Sequence, residues 1–148
     1  MAVKTISGSN LVLGIDLTGA DDGSATYATI GGSTTCTLSV TQDTIDTTNK
    51  DSSGNKAFIN GARGWTMDAE AFFTQGSSDG ETVRFKTLND AMQNGTRVKV
   101  KLSTTTGQTG VVYYDGFGYI TSLSVGASVG EWSTYSISVQ GDGALTTT

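Results

Sequence analysis

Thr35-Cys36-Thr37-Leu38-Ser39-Val40-Thr41-Gln42-Asp43-Thr44 alternates apolar and polar residues, and is followed by the polar run Ile45-Asp46-Thr47-Thr48-Asn49-Lys50-Asp51-Ser52-Ser53-Gly54. Cys36, Leu38 and Val40 fall on one face and Thr37, Ser39, Thr41 and Asp43 on the other, the period of a half-buried strand. Alternation resumes at Trp65, with Trp65, Met67, Ala69 and Ala71 opposite Thr66, Asp68 and Glu70. Between the two, from Ile45 to about Gly64, neither a helical nor a strand period is visible and both charge signs occur. Hairpin connections usually run about 2–5 residues, so one this long has a task or is disordered.

The rest of the chain extends the strand pattern. Asn10 to Leu17 predicts a first strand with Leu11, Leu13, Ile15 and Leu17 on one face, followed by a turn at Asp21-Asp22-Gly23. Tyr27 to Ile30 predicts a short strand ended by Gly31-Gly32. Thr96 to Leu102 places Val98, Val100 and Leu102 opposite Arg97, Lys99 and Lys101. Gly110 to Tyr114 and Phe117 to Val125 predict a hairpin turning at Asp115-Gly116, a common turn dipeptide. Trp132 to Gln140 is the last strand, with Tyr135, Ile137 and Val139 facing in, and Gly141-Asp142-Gly143 closes it.

One segment has a helical period. Between Gly80 and Asn94 the apolar residues Phe85, Leu88, Ala91 and Met92 recur at spacings of three and four. Ser78 with Glu81 fits a capping box, and Gly95 fits a helix stop. A single apolar stripe implies that this helix lies on a sheet. The expected fold is mainly β: an antiparallel β-sandwich or barrel with one flanking α-helix, in a single domain over residues 1–148, without internal repeats.

Composition narrows the function. The 148 residues hold no histidine, no proline and one cysteine, and the net charge is −5. No internal disulfide is possible, and Cys36 is expected as a small core residue because no histidine is present to activate it. The common serine and cysteine triads are absent for the same reason. Asp68 and Glu70 share a strand face, which admits a carboxylate pair, but a solvated strand face explains them. Zinc is excluded by the residue types. Asp51-Ser52-Ser53-Gly54-Asn55 lacks the ligand spacing of a calcium loop, and no glycine cluster forms a phosphate loop. No metal, cofactor or catalytic residue is therefore expected. The start of the sequence has no signal-like apolar run, and no stretch of about 18 apolar residues predicts a membrane span. An acidic chain does not grip nucleic acid, because that binding rests on neutralising phosphates. The proline-free strands leave their edges open to pairing with a neighbour.

Several blocks carry a resemblance. They are the Asp46-to-Gly54 loop; Gly64-Trp65-Thr66-Met67-Asp68-Ala69-Glu70-Ala71; Leu88-Asn89-Asp90-Ala91-Met92-Gln93-Asn94-Gly95-Thr96, running into Val98-Lys99-Val100; and Gly116-Phe117-Gly118-Tyr119-Ile120-Thr121-Ser122-Leu123-Ser124-Val125, followed by Glu131-Trp132-Ser133-Thr134-Tyr135-Ser136 and Gly141-Asp142-Gly143-Ala144-Leu145. In this order they resemble the major tail tube proteins of long-tailed bacteriophages, whereas the part up to Gly32 departs most. The resemblance implies a structural virion protein that polymerises as stacked hexameric rings into a hollow tube. DNA would pass through it without specific binding, and other tail proteins would sit at its ends. It implies assembly in the bacterial cytoplasm and residence in the phage tail. Asp46, Thr47, Thr48, Asn49, Lys50, Asp51, Ser52 and Ser53 would then form an inter-subunit loop, ordered by a neighbour because it lacks apolar residues of its own. Asp68 and Glu70 would face the lumen. Arg97, Lys99 and Lys101 would lie on an outer sheet or meet acids across an interface. The alternative is a carbohydrate- or surface-binding β-sandwich of a phage fibre or adhesin, with Tyr113, Tyr114, Phe117 and Tyr119 as stacking aromatics.

Overall fold

The structure is a computed structural model that describes residues 11–18, 27–30, 33–73, 82–83, 85–104 and 113–147. In chain order these form strands β1 (Leu11–Asp16), β2 (Ala28–Ile30), β3 (Ser33–Asp46), β4 (Phe58–Phe72) and β5 (Thr82–Val83), then helix α1 (Phe85–Gln93), then β6 (Val98–Thr104), β7 (Tyr113–Gly126) and β8 (Thr134–Thr147). The strands join in one sheet of order β3-β4-β8-β7-β6-β1-β2-β5. Every pairing is antiparallel except β2 with β5. β1 also approaches β3, although four strands separate them in that order. The sheet therefore curls over its own core, as the right-handed twist of strands allows.

Alternation decides which side is buried. Leu13 and Ile15, Trp65, Met67, Ala69 and Ala71, Val98, Val100 and Leu102, and Tyr135, Ile137 and Val139 form one cluster. α1 adds Leu88 and Ala91 to it. Phe85 packs edge-on to Tyr135 at 5.7 Å between centroids and tilted against Phe73 at 5.8 Å. The helix ends as expected. Gly95 takes φ 64°, Thr96 N–H donates to the Ala91 carbonyl and Gly95 N–H to that of Met92, the two bonds of a Schellman cap. The helix starts later than expected, at Phe85 rather than near Gly80, because Thr82–Val83 pairs with β2 as β5; the Asp21–Gly23 turn and the Ser78/Glu81 capping box lie outside the described residues.

Four expectations are corrected. Asp115-Gly116 is not a turn: β7 runs unbroken through it, with a bulge between Asp115 and Phe117. Gly141-Asp142-Gly143 does not close β8, which continues to Thr147. Both glycines serve close approach instead, because the indole of Trp65 lies where a Cβ at Gly116 or Gly141 would stand. Trp132 belongs to no strand and stands exposed in the β7–β8 connection. Finally, Val40 is exposed and Cys36 and Leu38 are only half-buried, because β3 is the outermost strand and its far part leaves the core.

Candidate functional site

Three features lie outside the core. The first is the sheet face opposite Met67 and Ala69. Strand register builds it row by row across β3, β4, β8 and β7: Thr35, Glu70, Ser136, Ser124; then Thr37, Asp68, Ser138, Ser122; then Ser39, Thr66, Gln140, Tyr119. None of these positions is a lysine or arginine. Asp68 accepts a hydrogen bond from the Ser138 hydroxyl, the hydroxyls of Ser124 and Ser136 share another, and Thr35 Oγ1 donates to Glu70 Oε2 at 3.5 Å. A shallow groove follows the two acidic rows. Asp68 and Glu70 are thus brought together, exposed and two residues apart on one strand, in a wall of hydroxyls and carboxylates.

The second feature is β6 together with Arg97, which immediately precedes it. Its cations lie further along the same side of the sheet, since Phe117 and Asp142 keep the side of Tyr119 and Gln140. Arg97 pairs with Asp142 at 3.0 Å and its guanidinium covers the Phe117 ring at 4.2 Å. Lys99 meets Asp115 at 3.7 Å, and Lys101 lies 5.2 Å from the Tyr27 ring. The acids that balance this strand come from the two glycine-containing segments that read as turns in the sequence. Pairing is therefore within the chain. Burial raises the Tyr27 hydroxyl above its ordinary pKa, against the opposing pull of Lys99. Sequence reasoning missed Asp16, which is 1% exposed and opposite Lys99 in register. Its Oδ1 accepts from the Thr18 N–H at 2.8 Å and hydroxyl at 2.7 Å. A carboxylate at the end of an apolar strand, two residues before a threonine, is the signal that points to such a turn.

Phe117 is thereby occupied by cations, and only Tyr119 of the proposed stacking aromatics is exposed among those described. Among the described residues, Tyr114, Phe117 and Tyr119 form no open platform for a sugar.

The third feature is an arm. β8 pairs with β4 only from Thr66 to Phe72, so Phe58 to Trp65 has β3 as its single partner. The strands continue to Asp46 and resume at Phe58, which shortens the irregular span expected from Ile45 to Gly64. The pattern was hidden by a bulge near Asp43, where Gly61 lets the two backbones approach. Ile45 faces Ile59 across the ribbon.

The loop at its tip is built from polar groups rather than apolar ones. Asp46 Oδ1 accepts from Thr48 N–H at 2.8 Å, Thr47 N–H donates to the Ala57 carbonyl at 2.8 Å, and Ala57 N–H donates to Thr48 Oγ1 at 2.9 Å. Asn49 caps a single 3-10 turn over Lys50–Ser52: its side chain accepts from Asp51 N–H, and Ser52 Oγ accepts from Asn49 N–H. Ser53 and Gly54 take positive φ to reverse the chain. The sequence predicts a loop ordered by a neighbour for want of apolar residues; within the chain, polar hydrogen bonds already give it a shape. Hydrogen bonding from Thr48 holds the Asp46 carboxyl below its ordinary pKa of 3.8.

Comparison with known proteins follows from this geometry. The profile of a family described as phage tail tube protein matches residues 5–147. Comparison with curated sequences gives no match. Among solved structures, a protein of the tail of an empty gene transfer agent particle, refined as a helix with C6 symmetry, superposes with a TM-score of 0.75 at 23% identity, covering 97% of this chain and 99% of that one. A protein of the native gene transfer agent virion gives 0.72 at 20% identity, covering 97% and 99%. The SPP1 tail tube protein gives 0.73 at 17% identity, covering 97% and 78%.

Proposed function

The chain belongs to the phage tail tube protein family, and we propose that it polymerises as stacked hexameric rings into a hollow tail tube through which DNA is delivered. The observation that carries this reading beyond the family is the cation-free face on β3, β4, β8 and β7. A conduit must not hold its cargo, and a wall of carboxylates and hydroxyls gives phosphates nothing to bind. Asp68 and Glu70 line the channel and recur in every subunit of the ring. Among the described residues, the cations are engaged at β6 or carried on the arm and the helix.

The arm supplies contact. A two-stranded ribbon is marginal alone in water, so exposed apolar residues on it favour a covering neighbour. Asp46, Thr47, Thr48, Asn49, Lys50, Asp51, Ser52 and Ser53 contact an adjacent subunit. Their internal hydrogen bonds present a preformed shape and lower the ordering cost of assembly. The role is structural, with no catalysis and no cofactor. Subunits assemble in the bacterial cytoplasm, the finished tube resides in the phage tail, and other tail proteins bind its ends. Negative-stain microscopy of the concentrated chain tests this reading: tubes with a central channel are expected, and persistent monomer with and without an initiating tail-tip complex overturns it.

A further inference from the structure

Among the described residues, most exposed large apolar side chains, Val40, Met92 and Tyr119 apart, gather at two places that the strands hold apart. One is the arm, with Ile45, Phe58 and Ile59 each more than half exposed. The other is the opposite end of the same hairpin. There the β7–β8 connection carries Trp132, 84% exposed, and Val129. It is tied to the end of β4 by the Phe73 N–H donating to the Ser133 carbonyl at 2.8 Å, next to the exposed Phe72 and Phe73. β4 runs the whole way between them, and its 15 residues span roughly 45 Å at strand rise.

Trp132 has no structural reason to be where it is. It fills no core position, and an indole left in water forfeits a large burial. We infer that Trp132 and Val129 form the dock for the arm of a second copy of this chain, so that the ribbon face carrying the Ile45–Ile59 pair of one subunit packs on the β7–β8 connection of the next, with Phe58 on the other face of the same ribbon. The inference rests on the tube reading above and names which surfaces meet along it.

Three observations favour a second copy as the occupant. The two patches differ and sit at opposite ends of the hairpin, so one contact leaves an unused arm at one end and an unused dock at the other. That is a heterologous interface, which propagates rather than closing as a dimer. The rims also differ in charge. Lys50 and Lys56 flank the arm patch, while Glu131 lies in the dock and Glu70 lines the groove beside it. Asp46 and Asp51 offset part of the arm's charge, so apolar contact carries the affinity and the rim sets orientation. Finally, the arm's tip is prebuilt by its own hydrogen bonds, and the dock is fixed to β4, so neither side must order itself on contact.

The test uses the full chain in a Cys36→Ser background, which removes the single native thiol. Lys56→Cys marks the arm and Ser128→Cys the dock; both sites are exposed. Assembled material is treated with a short bismaleimide and run under denaturing conditions. The double variant is expected to give a ladder of dimers and higher oligomers, and each single variant only monomer. Intact tubes without a ladder, or dimers from either single variant, overturn the dock while leaving the tube reading in place. Failure of the parent chain to form any polymer overturns both. In parallel, Trp132→Ala is expected to leave the unfolding midpoint unchanged and to raise the concentration needed for tubes at least about tenfold, as for a central aromatic anchor. An unchanged threshold overturns the assignment of Trp132.

Discussion

Trp65 shows how one residue fixes several others. Its alternation with Met67 and Ala69 makes it a core residue in the sequence, and it is buried. The sequence does not show what it rests on. The indole lies across Gly116 and Gly141, and its Nε1–H donates to the Gly143 carbonyl at 3.2 Å. A glycine required for close approach and a glycine required for a turn look the same in a sequence, and the partner that tells them apart is distant along the chain. This is why Asp115-Gly116 and Gly141-Asp142-Gly143 read as turns. A methyl group at either glycine must displace the ring or bend a strand. Gly141→Ala is expected to destabilise the fold by about 1–3 kcal/mol, the usual cost of overpacking. Trp65→Ala is expected to cost about 3–5 kcal/mol through the cavity it leaves. Because they share one contact, the double variant should cost less than the two together, and urea unfolding of all three measures the coupling. Additive losses would show that the ring and the glycine do not restrain each other.

At the scale of elements, most strands and the helix were legible because a half-buried element writes its period into the chain. The in-and-out pattern of β6, the inward residues Tyr135, Ile137 and Val139 of β8 and the cap at Gly95 appear where alternation and capping put them. The arm was legible only as an anomaly. Its strands leave the core, so neither face is consistently apolar, and the bulge at Asp43 shifts what alternation remains. The loop's order was hidden because polar side chains that bond their own backbone resemble solvated residues in sequence. Asp46 gives a test by pH. Its folded pKa lies below the ordinary 3.8 because Thr48 bonds the ionised carboxylate. The carboxylate's contribution is therefore complete above 3.8 and is lost as the pH falls through the lower folded value. Protection of the Thr48 amide, taken as its exchange relative to the intrinsic rate at each pH and followed by NMR, should hold down to the ordinary value and fall only below it. In Asp46→Asn that step should vanish. A step in Thr48 exchange near neutral pH would point to another group. Replacing Asp46 to Asn55 by a short Gly-Ser linker should leave a folded subunit, because no residue of the loop joins the core. It should remove tube formation in microscopy, and normal tubes from that variant would show that the loop makes no essential contact.

At the scale of the whole molecule, the curled sheet separates two chemistries that composition only averages. The net charge of −5 fits the proposed wall that avoids phosphates, yet Lys99 and Lys101 on β6 and Arg97 just before it put three cations together. β6 meets that difficulty by pairing Arg97 and Lys99 with Asp142 and Asp115, and by stacking cations on Phe117. Among the described residues, the rows of β3, β4, β8 and β7 that carry Asp68 and Glu70 hold no cation, and the paired cations lie further along the same side. On the proposed reading, a few charges per subunit would add around the ring to a field that the low-dielectric wall focuses into the bore. Salt at physiological strength screens that field over about 8 Å, so its effect is confined to DNA passing close to the wall. Both side chains are exposed, so Asp68→Lys with Glu70→Lys should leave the fold intact, at the loss of the Ser138 and Thr35 hydrogen bonds. The wall would then offer phosphates a cation at each former carboxylate, and every contact would release counterions. Particles built from this variant should form normal tubes but release DNA slowly or stall. The delay should shorten as salt is raised, because screening weakens the new contacts. Timing release at low and high salt reads both effects at once. Unchanged release at both, with tubes confirmed by microscopy, would place Asp68 and Glu70 away from the path. A delay that ignores salt would mean that the longer side chains obstruct the bore sterically instead of holding its cargo by charge.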